Sequence, residues 1–214
     1  VLAMRKPVDD PYGFELPVPA PRVVVTQKKQ RTGSFHLFVD LVPTSAWFSN
    51  LRAELSPGEW KSCAAFVAKR AGYCCEICEG RGPKWPVECH ERWAFDEATG
   101  VQKLVALEAL CPDCHEATHI GLAQARGHYE RAASHLMRVN GWSAEEVKSH
   151  LREAVTVFKR RSDRPWQLDA SLLIQLPIRL SEKSRALIER HASAAKILPG
   201  TSTRDQLIEQ TLGR

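Results

Sequence analysis

An α+β fold is what this sequence predicts, and three observations predict it. Residues 87–95 and 103–110 read as two short strands joined by a polar turn, Asp96-Glu97-Ala98-Thr99-Gly100. Helix-start signals flank them: Ser56-Pro57-Gly58-Glu59 before, with Ser as N-cap, Pro at N1 and Glu at N3, and Ser143 with Glu146 after. Two Cys-x-x-Cys pairs, Cys75/Cys78 and Cys111/Cys114, bracket the strands and supply the four thiolates of a closed tetrahedral zinc site.

Residues 1–34 carry five prolines and the basic run Gln27-Lys28-Lys29-Gln30-Arg31. A segment with so little to bury reads as an extended arm. Its charge is that of a solvated run or a phosphate-contacting tail. Residues 36–42, His-Leu-Phe-Val-Asp-Leu-Val, predict a short strand, after which Trp47, Phe48 and Leu51 dock on the core. The helix capped by Ser56 carries Trp60, Ala64, Val67 and Ala71 on one face and ends at Gly72. Residues 79–86 form a loop. A helix opening at Cys114 includes His115 and His119 and stops near Gly127; two more cover about 128–140 and 143–161. His128, His135 and His150 on these helices have no cysteine or acidic cluster beside them, so they are surface or packed side chains. Trp166 and Leu168 anchor the chain before a last small unit.

The chain of 214 residues is 43% hydrophobic, enough for one medium domain or two small ones. A net charge of +5 is compatible with a nucleic-acid partner without demanding one. Six of the seven cysteines fall between residues 74 and 114, unlike a spread disulfide framework. The opening residues resemble no signal peptide, and no apolar run reaches the roughly 20 residues needed to cross a bilayer. Reduced thiols, a cytoplasmic location and no membrane partner are expected. Cys63, in a helical pattern, and Cys74 read as free thiols.

Between and after the cysteine pairs stand Glu88-Cys89-His90-Glu91 and Cys111-Pro112-Asp113-Cys114-His115-Glu116-Ala117-Thr118-His119. Neighbouring helical residues point about 100° apart, so Cys114 can face one metal while His115 faces away. His119, four residues on, shares the face of His115, and two imidazoles at that spacing can hold one ion. His90 can reach the same place from the first strand.

These residues resemble the HNH nucleases, with their ββα-metal fold and, in this variant, a structural four-cysteine zinc site. The resemblance is close over 75–125 and looser over 35–170. It implies a ββα centre surrounded by helices, with structural Zn²⁺ on Cys75, Cys78, Cys111 and Cys114. It implies His90 as the general base for an attacking water, and His115 and His119 as ligands of a second, catalytic divalent metal. Zn²⁺, Mg²⁺, Mn²⁺ and Ni²⁺ are all compatible with that place. Two positions depart from the family pattern. Ala106 stands where the family has its middle Asn. Cys89 stands where an Asp or His ligand precedes the base. Either Cys89 binds a soft metal, or it is a packed thiol and Glu88 or Glu91 approaches instead.

Residues 171–214 form a small α-rich unit whose strand-helix-helix pattern resembles the ribbon-helix-helix DNA-binding family. That resemblance implies a homodimer whose paired strands enter the major groove, with Gln175 and Arg179 on the base-facing side. Pro177, unable to donate in a ladder, is a departure. A helical hairpin packed on the preceding domain is the alternative. The expected function is a metal-dependent endonuclease hydrolysing phosphodiester bonds in DNA. The alternatives are a non-catalytic, zinc-containing DNA-binding or regulatory protein, or a structural zinc protein mediating protein contacts.

Overall fold

The computed structural model describes residues 37–47 and 50–195. The proline-rich arm with its basic run, Phe48, and the second helix expected around Ser202–Ile208 lie outside the described residues. What is described is mixed α and β: a small three-stranded sheet surrounded by helices.

The sheet is built from β1 (Glu88–Asp96), β2 (Val101–Leu110) and β3 (Gln167–Asp169) in that order. β1 and β2 are antiparallel across the turn at residues 97–100, where Gly100 takes φ 72°. β3, invisible to strand patterning at three residues, pairs parallel with the start of β2, Val101 opposite Gln167. Register shifts between Arg92 and Trp93: Arg92 faces Ala106, but Trp93 faces Leu104. The extra residue, Val105, is a β-bulge, and its effect is specific. Leu107 and Leu104, three apart, both reach the same apolar core, which strict alternation forbids.

Helix α1 (Leu51–Glu54) leads to α2 (Pro57–Arg70), whose capping box has both arms: Ser56 Oγ accepts from Glu59 N–H, and the Glu59 carboxylate accepts from Ser56 N–H at 2.8 Å. After β2 come α3 (Pro112–Thr118), α4 (Ile120–Ala125), α5 (Tyr129–Asn140) and α6 (Ala144–Ser162), then α7 (Leu172–Gln175) and α8 (Glu182–Ala194) beyond β3. The predicted single helix from Cys114 to Gly127 is two. It breaks at His119, which at φ −98°, ψ 47° ends α3 and precedes α4. The capping box of α6 on Ser143 and Glu146 is present.

Two cores lie on the two faces of the sheet. One holds Val67, Cys89, Trp93, Leu107, Trp166, Leu173 and Ile188 under α2, α7 and α8. The other holds Leu37, Val39, Leu110, Ala117, Leu136 and Val147 under α3, α5 and α6.

Three expectations need correction. Residues 37–42 are extended but belong to no sheet. Two side chains and one carbonyl of distant helices take their backbone N–H groups: Leu37 N–H donates to Asn140 Oδ1 at 2.9 Å, Val39 N–H to His150 Nε2 at 2.9 Å, and Asp40 N–H to the Thr118 main-chain carbonyl at 2.9 Å. Trp47 does not dock on the core; it is 56% exposed, while Leu51 is fully buried. The strand expected to carry Gln175 and Arg179 does not form. Gln175 ends the one-turn helix α7, and Leu172, Ile174, Leu176, Ile178 and Leu180 pack on the first core. Burial of that apolar run against the first core outweighs its strand-like alternation. The Glu59 carboxylate then ties α8 down, accepting from Ser181 N–H at 2.7 Å and Ser184 Oγ at 2.9 Å.

No helix among the described residues is long and apolar enough to cross a membrane.

Candidate metal centres

The first centre is made by two turns brought together by the β1–β2 hairpin. After α2 the chain turns through left-handed residues Gly72 and Tyr73 into the Cys75–Cys78 knuckle, where Cys75 N–H donates to the Gly80 carbonyl at 2.9 Å. Glu76 N–H donates to Ala109 O at 2.8 Å, and Ala109 N–H donates to the Glu76 carboxylate at 2.8 Å, which docks the knuckle onto the end of β2. The loop behind it passes so close to the second pair that a Cβ on Gly82 would lie 2.0 Å from the Trp85 carbonyl and 2.6 Å from Pro112; only glycine fits. Cys111 is the N-cap of α3, its sulfur accepting from Cys114 N–H at 3.5 Å.

The sulfurs of Cys75, Cys78, Cys111 and Cys114 lie within 4.8 Å of one another, and Cys78 and Cys111 are 3.6 Å apart. Four cysteines so placed can hold a metal such as zinc. Hydrogen bonds from Cys111 and Cys114 hold the Cys75 thiol far below its usual range, while contacts with Cys111 and Cys75 push Cys114 far up. Sulfurs this close cannot all ionise alone, and a divalent cation is what lets them do so.

The second group is His90, His115 and His119, whose ligand nitrogens also lie within 4.8 Å of one another. Ring centroids are 5.3 Å apart for His90 and His115, 4.9 Å for His90 and His119, and 5.0 Å for His115 and His119, all edge-to-face. Strand parity puts His90 on the α3 face of β1, along with Glu88 and Arg92. His90 is 3% exposed, and its Nε2 is buried without a hydrogen-bond partner. Burial pushes His90 well below the ordinary imidazole range, with Arg92 and the other two imidazoles adding to it. His119 is pushed down to about 3, chiefly by burial, although a hydrogen bond to the Asp40 main chain acts the other way. His90 is therefore neutral at cellular pH, but far less basic than a free imidazole at 6.5.

Glu88 is the acidic residue that joins this group. Its carboxylate bonds His115 Nδ1, and that bond holds Glu88 below the usual carboxylate range. Fixing one nitrogen of His115 leaves Nε2 to face an ion, the arrangement that orients most histidine ligands. Cys89 is not in the group. It sits on the opposite face of β1, in the same apolar cluster as Cys63, and burial pushes its thiol far up. Glu91, on that same face, accepts from Trp93 Nε1 at 3.0 Å. Glu88, two residues before His90 on the same face of β1, joins the set, and the adjacent Cys89 does not.

Ala106 lies opposite Arg92, buried on β2, and offers no amide there. Arg92 itself is buried between Asp40 at 3.3 Å and Glu108 at 2.8 Å, under the Phe38 ring. Gln175 ends α7 and Arg179 lies between α7 and α8; neither lines the histidine cleft. Of the histidines expected to be packed or superficial, His128 bonds Glu116 at 2.7 Å and His150 accepts from Val39. His135 does more than pack: its Nε2 lies 3.1 Å from the Cys114 sulfur. Nothing local in the sequence marks it, since it reaches Cys114 from α5, 21 residues on.

No protein-family model, no curated protein and no solved structure matches this chain. Fold and site alone define its class: a mixed α+β protein with a four-cysteine cluster of zinc-binding type.

Proposed function

We propose that the protein is a metal-dependent endonuclease of HNH type, hydrolysing phosphodiester bonds in DNA. The observation that carries the reading is the His90 Nε2, buried and unpartnered beside two imidazoles whose other sides are already engaged. An orphaned buried nitrogen costs free energy that only a ligand, an ion or a reacting water recovers. The order of cysteine knuckle, two antiparallel strands and cysteine-capped helix supports the same reading.

In this function the four cysteines would hold a structural zinc that fastens the Cys75–Cys78 knuckle to the start of α3. His115 and His119 would hold a divalent ion, which supplies positive charge against the phosphate oxygens. His90 takes the proton of the attacking water on Nε2, for which burial keeps it neutral. Glu88 orients His115, and the Asp40 main chain orients His119. Incubation of the purified chain with plasmid and a panel of divalent metals tests the proposal. Cleavage with at least one metal, lost in His90→Ala, is expected; no cleavage with any of them defeats it.

His90 stands as near to each of the other histidines as they stand to each other, which favours a second reading in which all three are ligands. Metal counting on His90→Ala separates the two. A base leaves the second ion bound, whereas a ligand takes it away. The bare Ala106 position favours a non-catalytic DNA-binding protein instead, and that reading predicts salt-sensitive binding without product.

A further inference from the structure

The three histidines line a cleft of about 310 Å³ that also includes Trp47, Arg52 and Trp60, side chains for which the hydrolysis has no use. Trp47 is 56% exposed, more than any other large hydrophobic side chain among the described residues. An exposed indole forgoes its burial free energy, yet this one is held in place. Its Nε1–H donates to the Val42 carbonyl at 2.9 Å, and its own carbonyl accepts from Asn50 Nδ2 at 2.9 Å. On the same cleft the Arg52 guanidinium lies 5.0 Å from the centroid of the Trp60 ring. A cation over one aromatic ring and a fixed, wet face on another make a wall suited to a flat π-system beside an anion.

We propose that this wall is a stacking subsite for an unpaired nucleobase, and that the substrate class is single-stranded or locally unpaired DNA. The proposal rests on the nuclease reading for the position of the phosphate. In a duplex both faces of each base are covered by neighbours, so an indole has nothing to stack on; an unpaired base presents a free face. The size agrees, since about 300 Å³ is the low end for a cleft that takes one small ligand, and a duplex does not enter it. Arg52 then serves the backbone next to the stacked base.

The test is equilibrium binding of the full zinc-loaded chain, without added divalent metal, to labelled oligo(dT) and to a labelled duplex at low salt. Wild type is expected to prefer the single strand. Trp47→Ala should weaken oligo(dT) binding about tenfold, Trp47→Phe should keep it, and duplex binding should change less than twofold in both. Trp47 lies on the surface, and circular dichroism checks that the variants fold. Equal affinity of wild type for strand and duplex, no detectable oligo(dT) binding, or an unchanged Trp47→Ala overturns the proposal. Failure of the nuclease reading shows separately, as absence of product from wild type with every metal, because the binding measurements need no cleavage.

Discussion

His135 donates a hydrogen bond to the sulfur of Cys114. Its Nε2 lies 3.1 Å from Sγ, while Arg138 Nη2 lies 2.6 Å from Nδ1 on the other side of the ring. An arginine can only donate, so Nδ1 accepts and the ring proton is on Nε2. The sulfur is left as the acceptor, the role of a thiolate. A relay of two donors thus leans on one corner of the cysteine cluster and offsets part of its negative charge.

Removing that relay should loosen the metal without unfolding the protein. His135→Ala is expected to release zinc to a competing chelator about 10- to 100-fold more readily than wild type, the usual cost of losing an outer-shell partner. His135→Gln, which keeps a donor, should fall between them. Equal release from all three would leave the bond without a role.

The cysteines themselves should behave all-or-none. Cys75→Ser is expected to abolish the cooperative thermal transition, because zinc affinity at such a site is folding free energy. Cys74→Ser is the control. Cys74 stands next in sequence but outside the cluster, its sulfur 3.4 Å from Arg81 Nε, and its variant should keep one zinc by elemental analysis.

Arg92 lies between two buried carboxylates and is paired with both, Asp40 and Glu108. Arg92→Met should cost about 3–5 kcal/mol in urea unfolding, since it removes the cation paired with both buried acids. The extended segment at residues 37–42 should then lose protection from hydrogen exchange first, because Asp40 is its tie to the sheet. A loss below about 1 kcal/mol would mean the acids find other partners.

Acid should weaken the histidine face in a defined window. His119 has a folded pKa of about 3, against 6.5 unfolded. Between those values the unfolded chain binds a proton that the folded chain refuses, so stability falls as pH drops from about 6.5 towards 3 and levels off below. Buried His90 adds in the same direction. Acid also strips thiolate sites, so the contrast with His119→Phe carries the result. The variant should lose less stability than wild type over that window, by chemical denaturation at matched pH.

Local signals were legible, and non-local ones were not. Both capping boxes, Ser56 with Glu59 and Ser143 with Glu146, formed where four-residue patterns put them. The two matched cysteine pairs closed into one cluster, because a Cys-x-x-Cys turn prepays most of its own geometry. The alternation of residues 36–42 misled, because the partners that hold Leu37 and Val39 stand 103 and 111 residues away. Strand parity alone already puts Cys89 on the face opposite His90, although the two are neighbours in sequence. The bulge at Val105 and the three-residue β3 have no signature of their own, since each exists to satisfy packing on a neighbouring element.

Cys114 and His115 are consecutive residues on α3, a helix whose N-cap is Cys111. Closing the cysteines around zinc would therefore also fix the start of the helix that carries His115, and loss of zinc would reach the histidine face through that helix while leaving the imidazoles chemically intact.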